Sequence, residues 1–299
     1  MKRICLGLWL LITIPVFAQN KMVVFQSDFG LKDGAVAAMK GVAMRVSPDL
    51  KLYDLTHEIP AYNIWEAAYR LEQTVPYWSE GTVFVSVIDP GVGTERKSVV
   101  LKTNTGQFIV TPDNGTLTLV AASLGIAAIR EIDETVNRRK DSGKSYTFHG
   151  RDVYAYTAAR LAAGTITFEQ VGPPLPNRVV TIPFQQPVLE NGLLKGNIAI
   201  LDIQYGNIWT NIPAELFNQL KPAYGDNLHV SFFHNDKKVT VVDAPYSETF
   251  GAVAKGKPLA YLNSLMQLSF ALNQDSFAEV HHIGSGSEWR VEISLSHKK

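Results

Sequence analysis

Apolar and polar positions alternate with two different periods along the chain, and the change between them divides it in two. From residue 22 to about 163, short apolar runs alternate with stretches whose apolar residues recur every three or four positions, the periods of strand and helix. Strands are expected at 22–25, 50–55 and 82–88. A helix should start near Asp33, carry Val36, Met39, Lys40, Val42 and Ala43 at helical spacing, and close at Pro48. Asn63 reads as the cap of a second helix running to about Thr74, with Ile64, Ala67, Ala68 and Leu71 on one face. Residues 98–102 and 107–110 predict a hairpin turned at Asn104-Thr105-Gly106, followed by a helix over roughly 116–124. Residues 133–147 are polar and read as a surface loop, and His149-Gly150-Arg151 lead into a helix over 152–163 that Gly164 ends. Strands alternating with helices predict a three-layer α/β domain with a Rossmann-like sheet over 21–172.

Pro173, Pro174, Pro176, Pro183 and Pro187 then crowd a stretch, 173–190, that reads as a linker. Beyond it the helical period disappears. Residues 195–202, 227–233, 238–242, 258–262, 277–281 and 289–295 are short strand-like runs, which predict a smaller all-β, barrel-like domain over 191–296.

The first residues follow neither pattern. Met1-Lys2-Arg3 is a short positive region, 4–17 is almost wholly apolar, and Val16-Phe17-Ala18 offers a cleavage site before Gln19. Residues 1–18 are therefore expected to be a signal peptide, since the apolar run falls short of the ~20 residues of a spanning helix. The protein is then exported, periplasmic or secreted, and Cys5, the one cysteine, leaves with the leader. A mature chain without cysteine excludes disulfides, thiol nucleophiles and thiolate metal sites. Charge adds one exclusion: 28 basic residues balance 28 acidic ones, so no basic face for nucleic acid is advertised.

Candidate chemistry gathers where strands end. The run 83–88 passes directly into Asp89-Pro90-Gly91-Val92-Gly93-Thr94-Glu95-Arg96, so a buried strand delivers a carboxylate into an irregular turn. Asp28, Asp54 with His57, and Asp113 with Asn114 follow other strands. Such acids suit a hydroxyl-rich ligand or a metal, or else they cap and make turns. Asp89 with Arg96 can equally be an ion pair bracing its turn. The glycines at 91 and 93 follow a proline and do not form a dinucleotide loop, and no serine elbow occurs. His281 and His282 adjoin, on a stretch read as strand, and would point to opposite faces. Residues 201–211 combine Asp202, Tyr205, Asn207, Trp209 and Asn211, which suits either a flat heterocycle or a β-turn flanked by core aromatics.

Six segments taken in order carry a resemblance. Ser27-Asp28-Phe29-Gly30 with Asp33, Asp54-Leu55-Thr56-His57, Asp89 to Arg96, Pro112-Asp113-Asn114-Gly115, Phe148-His149-Gly150-Arg151-Asp152, and Asp202 with Tyr205 to Asn211 resemble the S-adenosyl-L-methionine (SAM) hydrolase family. It is also called SAM hydroxide adenosyltransferase and is related to the fluorinating and chlorinating SAM enzymes. The resemblance spans about 22–296. It implies hydrolysis of SAM to adenosine and L-methionine, with no metal and no cofactor beyond the substrate. It also implies a homotrimer whose sites lie between subunits. Asp89, Arg96 and His149 match the trio around the attacking water, and Asp28 matches the acid on the ribose hydroxyls. Tyr62 falls where relatives set an aromatic against the sugar. Asp202 and Ser264 match contacts to the methionine part, and Tyr205 and Asn207 contacts to adenine. The short link from Thr103 to Gln107 resembles the hydrolase branch, since the halogenating relatives carry an extra loop there. Where those relatives follow the matching serine with arginine, this chain has Leu265. A halide-dependent SAM adenosyltransferase is the rival reading within enzymes, and an exported nucleoside-binding protein the rival outside them.

Overall fold

Residues 20–296 are described in a computed structural model, so the expected leader and its cysteine lie outside the described residues. The first sheet is assembled from β1 (Met22–Ser27), α1 (Ala35–Val46), β2 (Lys51–Thr56), α2 (Ile64–Thr74), β3 (Val83–Val87), β4 (Ser98–Thr103), β5 (Phe108–Pro112), α3 (Thr118–Leu124), β6 (Ile126–Glu131), α4 (Tyr156–Ala162) and β7 (Pro174–Leu175). A π-helical turn, Gly150–Ala155, leads into α4. The strand order is β2-β1-β3-β5-β4-β6-β7. The first four of these run parallel, and β4, β6 and β7 are antiparallel to their neighbours, which makes the sheet mixed.

Both faces of this sheet are covered, which explains why its strands read as continuous apolar runs rather than alternating ones. Val23, Phe25, Val83, Val85 and Val110 point to the side of α1 and α4, where Val36, Met39, Ala43, Ala158 and Leu161 meet them. Val24, Phe84, Ile109, Val99 and Leu101 point to the other side, against Leu71, Leu117 and Val120 of the α2 and α3 layer. The chain passes β1–α1–β2 on one face and β2–α2–β3 on the other, stepping over β1. The carboxyl ends of β1 and β3, neighbours in the sheet, therefore feed loops that diverge, and a crevice opens between them. In open α/β sheets that crevice is where ligands bind.

The caps follow the sequence. Asn63 Oδ1 accepts the Glu66 N–H at 3.0 Å at the start of α2. Asn63→Ala is expected to cost ~1 kcal/mol, read as a lower urea midpoint at unchanged slope.

The remaining chain forms β8 (Val188–Glu190), β9 (Leu193–Leu201), β10 (Ile208–Pro213), α5 (Ala214–Phe217), β11 (Asn227–His234), β12 (Lys237–Pro245), β13 (Pro258–Leu262), β14 (Gln267–Leu272), α6 (Phe277–His281) and β15 (Trp289–Ser296). Its antiparallel sheet runs β12-β11-β15-β9-β10-β14-β13. A bridge between Tyr246 and Ala260 brings the two edge strands together, so the sheet nearly closes into a barrel. Inside lie Ile198, Ile208, Phe232, Phe270, Phe277 and Val291. Residues 277–281 form a helix, not the expected strand: Ser276 Oγ accepts the Glu279 N–H at 3.2 Å and starts it. His281 and His282 consequently end a helix instead of flanking a strand, with His282 in the left-handed conformation. Strands β6, β7, β8, β10 and β14 do not follow from the residue pattern.

Candidate active site

The turn after β3 is fixed from both ends. Asn114 Nδ2 donates to the Ile88 carbonyl at 2.9 Å, which holds the strand exit. The Val92 N–H donates to the Asp89 carbonyl at 3.1 Å, and the Thr94 N–H and hydroxyl both donate to the Gly91 carbonyl. Gly93 takes φ +77°, a conformation that favours glycine. Turned back in this way, Arg96 reaches the acid seven residues before it. Its Nε donates to Asp89 Oδ1 at 2.9 Å and its Nη2 to Oδ2 at 2.5 Å, a planar two-point pair. Both side chains are largely buried.

A closed circuit surrounds the pair. Arg96 Nη1 donates to Ser98 Oγ at 3.1 Å, Ser98 and Tyr154 hydroxyls meet at 3.2 Å, and the Tyr154 hydroxyl donates to Asp89 Oδ2 at 3.2 Å. Burial, helped by the Asp89 charge, pushes the Tyr154 phenol far above its ordinary range, so it stays a donor. Burial works against the Arg96 charge, but its bond to Asp89 together with the electrostatic effects of Tyr154, Asp89 and Glu134 raises its pKa. Oδ2 thus receives two donors and Oδ1 one. A carboxylate offers about four lone-pair positions, which leaves Oδ1 able to accept from a further group.

His149 arrives from the opposite side, at the start of the helical segment. Gly150 lets that segment press onto β3, because a Cβ there would stand 3.0 Å from Val87 Cγ1. In an α-helix, i+3 and i+4 share a face. The wider π turn closes i to i+5 and instead sets Tyr154 beside His149, with ring centroids 6.4 Å apart. His149 bonds to neither Asp89 nor Arg96. Its Nε2 lies 3.2 Å from Arg138 Nη2 and 3.6 Å from Glu134 Oε1, and its Nδ1 is buried without a hydrogen-bond partner. Burial lowers its pKa below the ordinary 6.5, as do Arg96 and Arg138, against the opposing pull of Glu134 and Asp89.

Asp28, Tyr62, Asp89 and His149 line one cavity of about 260 Å³, with Phe29, Val87 and Phe148 in its wall. It lies in the crevice between β1 and β3. Asp28 Oδ2 accepts the Tyr62 N–H at 2.9 Å and holds Tyr62 at φ +68°, strained for a residue with a side chain. Tyr62 as a whole is 72% exposed. Arg96 stands behind Asp89 and lines no part of this space.

Asp202, Tyr205, Asn207 and Ser264 do not join them. They line a separate cavity of about 1120 Å³ in the barrel, with Trp209, Tyr261 and Glu279. The loop between β9 and β10 shapes it: the Asp202 N–H donates to the Asn207 carbonyl at 2.9 Å, the Gly206 N–H to the Asp202 carbonyl at 2.7 Å, and Asn207 Nδ2 to Asp202 Oδ2 at 3.3 Å. His57, Asp113 and Asn114 serve as braces. Ser27 Oγ, His57 and Asp54 form a bonded chain that ends on Lys40. Asp113 Oδ1 accepts the Val180 N–H at 2.9 Å.

Comparison with known proteins decides the family. Residues 23–172 match the profile of the SAM hydroxide adenosyltransferase N-terminal domain, and residues 196–290 match that of its C-terminal domain. The chain belongs to the SAM hydroxide adenosyltransferase family. It is 33% identical to the (R)-S-adenosyl-L-methionine hydrolase of Salinispora tropica, over 92% of this chain and 98% of that one. A fluorinase of Actinopolyspora mzabensis is 30% identical, over 91% and 97%. The crystal structure of an uncharacterized conserved protein from Thermotoga maritima superposes with a TM-score of 0.82 at 36% identity, covering 91% of this chain and all of that one. In this SAM hydroxide adenosyltransferase chain, four site neighbours escaped the sequence reading: Ser98, Glu134, Arg138 and Tyr154. The Glu134–Arg138 pair, four apart, was the one available signal, and it lay in a stretch read as surface loop.

Proposed function

We propose that the protein hydrolyses SAM to adenosine and L-methionine, with Asp89 aligning the attacking water. The observation that carries this reading is the spare acceptor position on Asp89 Oδ1, at the wall of a cavity shared with Asp28, Tyr62 and His149. A water oxygen attacks C5′, the C5′–S bond breaks, and sulfur takes the electron pair to leave as a neutral thioether. The departing group needs no proton, so neither a general acid nor a further cofactor is called for. The former water sheds its proton to Asp89 or to solvent. Positioning of a reactant in this way can supply ~7–11 kcal/mol of a barrier. Arg96 and Tyr154 donate to the two carboxylate oxygens and hold them in one orientation, which suits aiming the water.

The remaining assignments belong to the same proposal. Asp28 holds the ribose hydroxyls and Tyr62 lies against the sugar, while Asp202 and Ser264 take the methionine end and Tyr205 and Asn207 the adenine. The two cavities share no residue, which supports a homotrimer in which one subunit's first half meets its neighbour's barrel. Sedimentation at several protein concentrations tests this, and an active monomer would contradict it. The parallel strands β2-β1-β3-β5 make the first sheet Rossmann-like, and residues 21–172 and 191–296 are two domains with 173–190 as the chain linker between them. Residues 1–18 export the protein, which fractionation of the source cells checks.

Incubation with SAM in plain buffer and with added halide tests the function. Adenosine formed without halide is the expected result. A 5′-halo-adenosine, or a bound and unchanged nucleoside, would overturn it. Tyr62→Ala should raise KM by about 3- to 10-fold and leave kcat nearly unchanged, the size of one lost aromatic contact.

A further inference from the structure

We propose that Arg138, braced by Glu134, is a positioning residue that fixes His149 as its Nδ1–H tautomer and so keeps Nε2 from acting as the base. The argument begins with the chemistry of the donor. A guanidinium has N–H groups and no acceptor, so the 3.2 Å contact between Arg138 Nη2 and His149 Nε2 requires Nε2 to be the acceptor. A neutral imidazole with a bare Nε2 carries its proton on Nδ1. The ring is then a donor at Nδ1, and its lone pair at Nε2 is occupied.

Arg138 is itself held in place. Its Nε and Nη2 both donate to Glu134 Oε2, at 3.1 and 2.7 Å, and its guanidinium lies over the Tyr146 ring at 4.6 Å. The side chain is 10% exposed. Glu134 Oε1 stands 3.6 Å from Nε2, and it would attract a proton there. The shorter contact, from Arg138, decides against this. The groups facing His149 are Asp89 and Arg96 from the turn after β3, Glu134, Arg138 and Tyr146 from the preceding segment, and Tyr154 from its own helix, with Asp28 across the cavity. Burial and the two arginines favour the neutral ring, against Glu134 and Asp89.

The consequence concerns the proposed reaction. With Nε2 occupied, His149 does not take the proton of the attacking water. That proton goes to Asp89 or to solvent.

Nitrogen-15 spectra of the full-length protein labelled in its histidine rings test this directly, with His149→Gln used to assign the signal. Above pH 7 the parent should show a protonated Nδ1 and a bare Nε2. Arg138→Met leaves Glu134 as the neighbour of Nε2 and should move the proton there, while Arg138→Lys retains a donor and should keep the parent tautomer. A parent ring protonated at Nε2 overturns the proposal, whether or not any variant folds. So does an Arg138→Met ring with the parent tautomer. The kinetic arm rests on the hydrolase reading, which the spectra do not need. Arg138→Met should lower kcat by ~10- to 100-fold, the effect of a misplaced group, with KM within about 3-fold. Loss of the cation also raises the His149 pKa, so the acid limb of kcat should move to higher pH, and Arg138→Lys should restore most of both. An Arg138→Met enzyme with parental kcat and pH profile would likewise overturn the proposal.

Discussion

Asp89→Asn should lower kcat for adenosine formation by ~10²- to 10³-fold, within the range for loss of a positioned proton-handling group, while KM stays within about 3-fold. The substitution is nearly isosteric, so the cavity wall and the contacts of Asp28 and Tyr62 persist. The acceptor set does not. Arg96 presents N–H groups to both carboxylate oxygens, and an amide can satisfy one of them but meets the other with its own N–H. If the amide oxygen faces Nη2 and Tyr154, the NH₂ takes the place of Oδ1 and turns a water acceptor into a donor. If the amide is flipped, Tyr154 loses its acceptor and the circuit through Ser98 opens. Either arrangement misdirects the water without blocking the substrate. Chromatographic measurement of adenosine across SAM concentrations separates the two parameters. Turnover within twofold of the parent would remove Asp89 from the chemistry.

Asp89 was legible because its signal is local. A fully buried strand has to be apolar, and an acid, a proline and glycines just after it have to be a turn at the sheet edge. The same locality made Asn63 visible as a cap and the β4–β5 hairpin visible through Asn104-Thr105-Gly106. Other features depend on partners far along the chain. Strand β6 buries Ile129 fully and leaves most of the rest half-buried, so it offers no clean period, and pairing with β4 holds it in place. Helix α6 is aromatic and β-branched enough to imitate a strand, although Ser276 and Glu279, three apart, carried the signature of a helix start. The site shows the same division. Tyr154 sits five residues after His149, a spacing with no meaning in an α-helix, and becomes a neighbour through the π turn. Arg138 belongs to a segment whose path is set by distant bonds, Asn137 Nδ2 to the Val171 carbonyl and the Thr157 hydroxyl to the Asn137 carbonyl. Polar composition suggested a surface loop over 133–147, and most of it is exposed and irregular, but Asn137 and Ser142 are buried and tie it to the fold.

Trp65→Ala should destabilise the protein by about 3–5 kcal/mol, the usual cost of removing a large buried aromatic. Helical spacing assigned the apolar face of α2 to Ile64, Ala67, Ala68 and Leu71, which predicts a helix covered on one side. In the fold α2 is covered on two. Trp65 and Tyr69 are buried as well, and they face the barrel. The Trp65 indole N–H donates to the Ala199 carbonyl of β9 at 2.7 Å, its ring meets Phe184 edge-on at 5.0 Å, and Tyr69 packs with Ala199 and Ile200. The linker therefore does not act alone in joining the two sheets, because α2 serves as core to both. Trp65→Phe separates the contributions. It keeps most of the ring packing and loses the hydrogen bond, which leaves the Ala199 carbonyl unpaired at a cost of about 1–3 kcal/mol. Urea unfolding followed by far-ultraviolet circular dichroism gives both values. A Trp65→Ala cost below about 1 kcal/mol would mean that the seam contributes little and that the two halves are held together by residues 173–190 alone.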